Sequence, residues 1–275
     1  MKITKLNNEK VVAVPLVGLG KVDTKPVKGF NILPEIYCNC FVLAKKKMGK
    51  STLIYKMIKD TIDPRTKVYA FVSTLNKDKI WKTIRHYCES HNIEFNGYTS
   101  IIDNGVNILG NLVNRLQQPD EEEEVKKVKK QIAIQCNDDD DDDEKKPRKK
   151  KYKYRVPDYI FILDDLSTEL KDPAVIALMK THRHYFSKVY IGNQYWNDCA
   201  KSGRKMTDYM IIFGKQPVDK LIEVHKELDL DIAFDEFMEM YKFAIKEKFN
   251  FLYIDINNCE YRKNFNLKLH QRETD

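Results

Sequence analysis

Residues 44–51 read Ala-Lys-Lys-Lys-Met-Gly-Lys-Ser, with Thr52 next. Residue types in this order can cradle a row of phosphates. Gly49 permits close backbone approach, Lys50 reaches the terminal phosphates, the Ser51 hydroxyl ligates Mg²⁺, and Thr52 lies near the first phosphate. The binding stretch is therefore Ala44, Lys45, Lys46, Lys47, Met48, Gly49, Lys50, Ser51 and Thr52. Ala44 stands where glycine is usual, which matters only if that backbone needs a conformation closed to a Cβ. Lys45, Lys46 and Lys47 add positive charge, with at least two of them pointing into solvent.

Two further stretches can complete such a site. "YIFILDDL" is an apolar run, Ile160 to Leu163, ending in Asp164 and Asp165. At the end of a strand beside bound phosphates, the first acid holds Mg²⁺ and the second polarises water. The same acids can also cap a helix begun by "DDLSTEL". In "RHYFSKVYIGNQ" a glutamine, Gln194, closes the next apolar run. Its amide is suited to hold the lytic water or the last phosphate, or alternatively to tie the strand end to a neighbouring loop.

The flanking pattern supplies the elements that must position these groups. Strand-like runs at Ile36 to Leu43, Lys67 to Ser73, Asp158 to Asp165, Lys188 to Gln194 and Asp208 to Gly214 alternate with helical patterns. The helical patterns cover Lys50 to Ile62, Asp78 to Ser90, about Asp172 to His182, Val218 to Glu227 and Ala233 to Glu247. Two last strand-like runs surround Asn257 and Asn258, as in a hairpin. Continuous apolar runs suit strands covered on both faces. The expected fold is a parallel sheet between helices, with Ser51, Asp164, Asp165 and Gln194 converging at the carboxyl ends of the strands.

Composition narrows the setting. Charged residues make up 32% of the chain, above the usual quarter, and the net charge of +7 suits a polyanionic partner. The six cysteines form no C-x-x-C pair. Cys38 and Cys40, two apart, are expected on one side of a buried strand. No run of 18 uncharged apolar residues occurs, and "MKITKLNNEKVVAVPLVGLG" lacks the apolar core and cleavage site of a signal peptide. A soluble, intracellular protein without membrane contact is the expectation. From Gln117 to Arg155 the sequence passes from acidic blocks to a basic one, an insertion whose part from Asn137 to Lys150 is expected to be exposed and disordered.

In order and spacing, "AKKKMGKST", "ILDDL", "THRHYFSKVYIGNQYW" and "DYMIIFGK" resemble the FtsK/HerA branch of P-loop ATPases. The resemblance is to the poxvirus-type genome-packaging ATPases of large DNA viruses, virophages and Polinton-like elements. It implies an α/β fold of the ASCE, RecA-like P-loop NTPase class, a three-layer sandwich with a mainly parallel central sheet. The ATPase domain would span residues 31–275, preceded by an N-terminal extension at 1–30 and carrying the charged insertion at 117–155. The implied activity is ATP hydrolysis with Mg²⁺, coupled to translocation of double-stranded DNA by a homo-oligomeric ring, with a capsid or portal-type protein as a further partner. The implied setting is the host cytoplasm or the site of virion assembly. Arg183 stands where such families place an arginine that reaches the neighbouring subunit's ATP, and Arg204 is the second candidate. His184 is typical of the packaging branch, in a packing or hydrogen-bonding role. The sequence departs from the pattern at Ala44, at the insertion, and at Asp165, where many relatives have the longer glutamate. A nucleotide-binding scaffold without catalysis and a P-loop small-molecule kinase are the alternatives. A kinase would need an arginine-rich lid and an acceptor pocket, neither of which the sequence shows.

Overall fold

The computed structural model describes residues 25–117 and 152–270. Strands β1 (Asn39–Leu43), β2 (Lys67–Val72), β3 (Glu94–Tyr98), β6 (Tyr159–Asp164), β7 (Ser187–Asn193) and β8 (Tyr209–Phe213) build a central sheet with β9 (Phe251–Asp255), β10 (Glu260–Lys263) and β11 (Leu267–Leu269). The sheet has nine strands in the order β11-β10-β9-β8-β1-β7-β6-β2-β3. Every neighbouring pair from β3 to β8 is parallel, and β9 to β11 extend the sheet antiparallel. A separate pair, β4 (Ile102–Asp103) and β5 (Val106–Asn107), closes a hairpin over Asn104 and Gly105, both at positive φ.

The central strands are apolar on both faces because both faces are covered. Phe41, Leu43, Phe161, Leu163, Val189, Ile191, Met210 and Ile212 point to one side. There they meet the helices Ile108–Gln117, Pro173–Thr181, Val218–Glu227 and Phe234–Ala244. Cys38, Cys40, Val42, Ile160, Ile162, Tyr190 and Ile211 point to the other, against the helices Lys50–Thr61 and Lys79–Ser90. Cys38 and Cys40 thus share a face, as their spacing predicts. Fully burying one such aliphatic side chain stabilises by about 1.5–3 kcal/mol, so deleting Ile58 or Leu178 would be felt directly. Local signals set the helix starts. Asp78 accepts from Ile80 N at 3.1 Å and Asp172 from Ala174 N at 2.7 Å, with Pro173 at the first helical position.

The expected strands and helices are present with ends shifted by a residue or a few. The element order is that of a three-layer α/β sandwich with a mainly parallel sheet. Four parts go beyond the sequence reading: β3, the hairpin β4–β5, the helix Ile108–Gln117 and the last strand β11. β3 is a half-exposed edge strand whose Asn96 and Gly97 have low strand preference. Most of the charged insertion and residues 1–24 lie outside the described residues. The described end of the insertion is docked on the fold: Arg65 donates to Tyr154 O at 2.7 Å, and Val27 bridges Arg155.

One buried charge strains this core. Lys188, in β7, is 0% exposed, and among the described residues its ammonium has no hydrogen-bond partner. Burial pushes its pKa down, an effect that Cys38, Cys40 and Glu35 only partly oppose. A depressed lysine pKa means that the unfolded chain binds the extra proton between the folded value and the ordinary 10.5. The stability cost is therefore full below the folded value and vanishes above 10.5. Lys188→Met is expected to raise the urea midpoint at neutral pH, with the gain shrinking as pH approaches 10.5. Unfolding titrations at several pH values check this.

Candidate active site

The loop between β1 and the helix Lys50–Thr61 carries its strain where glycine and lysine stand, not at Ala44. Gly49, the helix N-cap, has φ +97° and Lys47 has φ +63°, whereas Ala44 is not among the positive-φ residues. Ala44 is fully buried beside Val42 and Met48, and its N–H donates to Asn193 O at 3.0 Å. A Cβ at position 44 therefore adds packing and closes no needed conformation. Gly49 offers no side-chain cap, so the first-turn N–H groups of a twelve-residue helix face the loop with its dipole behind them. Lys45, Lys46 and Lys47 are all exposed, as is Thr52.

Beyond this loop the expected groups meet. Lys50 Nζ lies 2.8 Å from Asp164 Oδ1 and forms a closer ion pair with Asp165 Oδ1. It also donates to Gly192 O at 3.4 Å. Ser51 Oγ donates to Asp164 Oδ2 at 3.2 Å, and Gln194 Nε2 to Asp165 Oδ1 at 3.3 Å. Gln194 is thus tied to the residue that follows the neighbouring strand β6. The short 3₁₀ turn Ser167–Lys171 begins at Leu166 without a side-chain cap, so the acids are not spent as caps. Asp165 is held at φ +52°, a left-handed conformation that turns the chain sharply where β6 ends.

Electrostatics separates the two acids. Asp164 is 1% exposed and Asp165 29%. Burial pushes the Asp164 carboxyl up, Lys50 pulls it back, and the charge on Asp165 pushes it up again. The pocket so formed is short of positive charge at Asp164. A hydroxyl and a buried carboxylate side by side, both hard oxygen donors, fit a Mg²⁺ ion held by Ser51 and Asp164.

A residue outside the sequence reading makes this convergence possible. Gly192 sits in β7 directly between Val42 of β1 and Asp164 of β6. A Cβ there would overlap Asp164 Oδ1 and come within 3.1 Å of Lys50 Cδ and 3.0 Å of Ile54 Cδ1.

The two arginines part ways. Arg183 precedes β7, whereas Gln194 follows it, so the strand separates Arg183 from the site by on the order of 20 Å. Its side chain is 59% exposed, 3.3 Å from Asp208 Oδ1 and 3.4 Å from Glu35 Oε2. Arg204 is 7% exposed, ion-paired to Glu227 at 2.8 Å and hydrogen-bonded to Asn197. Its guanidinium also lies 5.4 Å from the Trp196 ring centroid. His184 is exposed, while its neighbour His182 is buried and contacts Asn39 Nδ2 at 3.1 Å and Met179 O at 2.8 Å. His182, Asn39 and Asp208 form a buried polar cluster under Arg183 that no motif announced.

With β1, β7 and β6 adjacent, and the phosphate loop facing an acid pair across them, the fold is that of a P-loop NTPase. No protein-family model matches the chain, and no curated protein matches it. Solved structures do. The genome packaging NTPase B204 from Sulfolobus turreted icosahedral virus 2, in complex with AMP, superposes with a TM-score of 0.51. That match has 13% identity and covers 86% of this chain and 98% of that one. The same NTPase in complex with AMPPCP gives a TM-score of 0.50 at 14% identity, over 83% and 97%. The chain therefore shares its fold with that NTPase.

Gly192→Ala should lower affinity for Mg-ATP at least tenfold, because the added methyl displaces Lys50 or Asp164. Ala44→Gly should keep that affinity while losing about 1 kcal/mol of stability through lost burial and a freer unfolded chain. Nucleotide titrations and urea unfolding of both variants check the pair of outcomes.

Proposed function

We propose that this chain hydrolyses ATP and uses the energy to move double-stranded DNA, as a subunit of a genome-packaging motor. The observation that carries the reading is Lys50 held between Asp164 and Asp165, with Ser51 on the first acid and Gln194 on the second. A fold shared with a packaging NTPase supports it. On binding, Lys50 exchanges a carboxylate for the terminal phosphates of ATP. Ser51 and Asp164 would hold Mg²⁺, which would supply neutralisation of phosphate charge. Asp165, freed from Lys50 and steadied by the Gln194 amide, accepts the proton of the attacking water. Its carboxylate is one methylene shorter than glutamate, so Gln194 carries more of the water's orientation. Residues 31–275 act as one ATPase domain, with 1–30 as its extension.

Arg183 is the trans-acting arginine in this reading. It lies at the sheet edge opposite the phosphate loop and is exposed, its pairs with Glu35 and Asp208 open to solvent, whereas Arg204 is buried in its pairs with Glu223 and Glu227. An ATP site on one edge and an exposed arginine on the other suit a head-to-tail ring, in which each subunit completes its neighbour's site. DNA would be held through phosphates, with strong salt dependence and little base reading. A capsid or portal-type protein would anchor the ring in the host cytoplasm, at the site of assembly. Among the described residues no helix is long and apolar enough to cross a membrane.

Steady-state ATP turnover with and without duplex DNA tests this. Turnover should rise with DNA, and Lys50→Ala should reduce it at least a hundredfold. Arg183→Ala should be inactive alone yet bind ATP. Mixed with Lys50→Ala it should regain part of the activity, since one subunit then has an intact site and its neighbour an intact arginine. No turnover under any condition would leave a nucleotide-binding scaffold. No recovery in co-assembled mixtures would remove the trans role of Arg183.

A further inference from the structure

The nucleoside end of the ligand has a direction in this site. Asp164, Asp165 and Gln194 all stand on the β6–β7 side of the phosphate loop, so the terminal phosphate must lie there. The other end of the ligand then leaves across the opposite flank, where β8 and β9 run. β9 is antiparallel to β8 with Phe251 opposite Phe213, so the turn before β9 rises beside the phosphate loop.

That turn carries Phe249. A Cβ built on Gly49 would lie 3.4 Å from Phe249 Cδ1, which places the ring against the phosphate loop itself. The ring is 53% exposed, and its backbone is held at φ +70°, a conformation costly for a bulky residue. The turn is pinned at both ends. Asn250 N donates to Glu247 O at 3.3 Å, Phe251 N to Asn264 Oδ1 at 3.2 Å, and Asn264 Nδ2 to Asn250 Oδ1 at 3.1 Å. Phe251 beneath it packs on Phe213 and Phe265. The backbone that presents the exposed aromatic is thus held before any ligand arrives, and the exposed Lys248 ammonium, 4.7 Å from its centroid, brings positive charge to the same spot.

We propose that Phe249 is the platform on which the base of the bound nucleotide stacks; this rests on the reading of the loop as a nucleotide site. A pre-ordered turn loses little entropy on binding, and an aromatic face accepts any base. It reads the π-face and not the edge, so ATP and GTP should bind within a few-fold of each other.

Titrations of wild type, Phe249→Ala and Phe249→Trp with Mg-ATP, Mg-ADP and Mg-tripolyphosphate test the assignment. Phe249→Ala should weaken ATP and ADP about tenfold, the scale of base–aromatic stacking, and leave tripolyphosphate within twofold. Phe249→Trp should restore ATP affinity, and nucleotide should quench its fluorescence beyond the wild-type change. Unchanged ATP affinity in Phe249→Ala overturns the platform, as does an equal loss for tripolyphosphate, which would mean that the ring merely shapes the loop. A wild-type chain that binds tripolyphosphate and nucleotide equally also overturns it while leaving the phosphate site standing. A wild-type chain that binds none of the three overturns both.

Discussion

Lys50 must cross a whole strand to reach its partners. The phosphate loop leaves β1, the acids end β6, and β7 lies between them, so the lysine spans two strand spacings, about 10 Å. It can do so only if the end of β7 presents no side chain on that face, and Gly192 meets the condition. The ion pair also needs both acids. Asp164 is buried and only partly compensated, and the second carboxylate of Asp165 keeps Lys50 between the two. Breaking such a buried arrangement at one member leaves an uncompensated charge, typically at a cost of about 3–5 kcal/mol. Strand order, the glycine, the left-handed turn at Asp165 and the Gln194 amide all follow from holding this one cation.

The same strand order gives the molecule two unlike edges. At the carboxyl ends of the strands are the phosphate loop, the acids and the pinned turn with Phe249. Before β7, at the other end, Arg183 stands over Asp208 and Glu35 on the buried cluster of Asn39 and His182. In the proposed ring, an anion-binding edge and an exposed arginine on the opposite edge would meet in one sense. In the proposed motor, that polarity makes each hydrolysis event depend on a neighbour's position, which is how a ring can act in sequence.

Much of this was legible in the residues, for identifiable reasons. Continuous apolar runs such as "YIFILD" and "KVYIGN" marked strands covered on both faces, and the polar residues just past them marked the site. Spacing said nothing of which strand lies between which, so Gly192 passed as one residue of a strand and its need to be side-chain-free was invisible. Ala44 looked like a defect because the motif pattern expects glycine there; the backbone shows that the left-handed positions are Lys47 and Gly49. Arg204 carried the same chemistry as Arg183 on paper, and only burial among Glu223, Glu227 and Trp196 separates them. The Asn-Gly pair at residues 104 and 105 was a readable hairpin signal, masked by strands of only two residues. Phe249 opens the run Phe-Asn-Phe-Leu-Tyr-Ile and read as one more apolar residue of a strand, so nothing set it apart from Phe251.

In the proposed mechanism, Lys50 is stored between two carboxylates and is handed to phosphate when nucleotide binds. A crystal structure of the chain with AMPPCP and Mg²⁺ tests it most directly. Lys50 Nζ should have moved off Asp165 onto the terminal phosphate oxygens, with Ser51 and Asp164 on the metal. Nucleotide bound away from residues 44–52, with the Lys50 ion pairs intact, would contradict it.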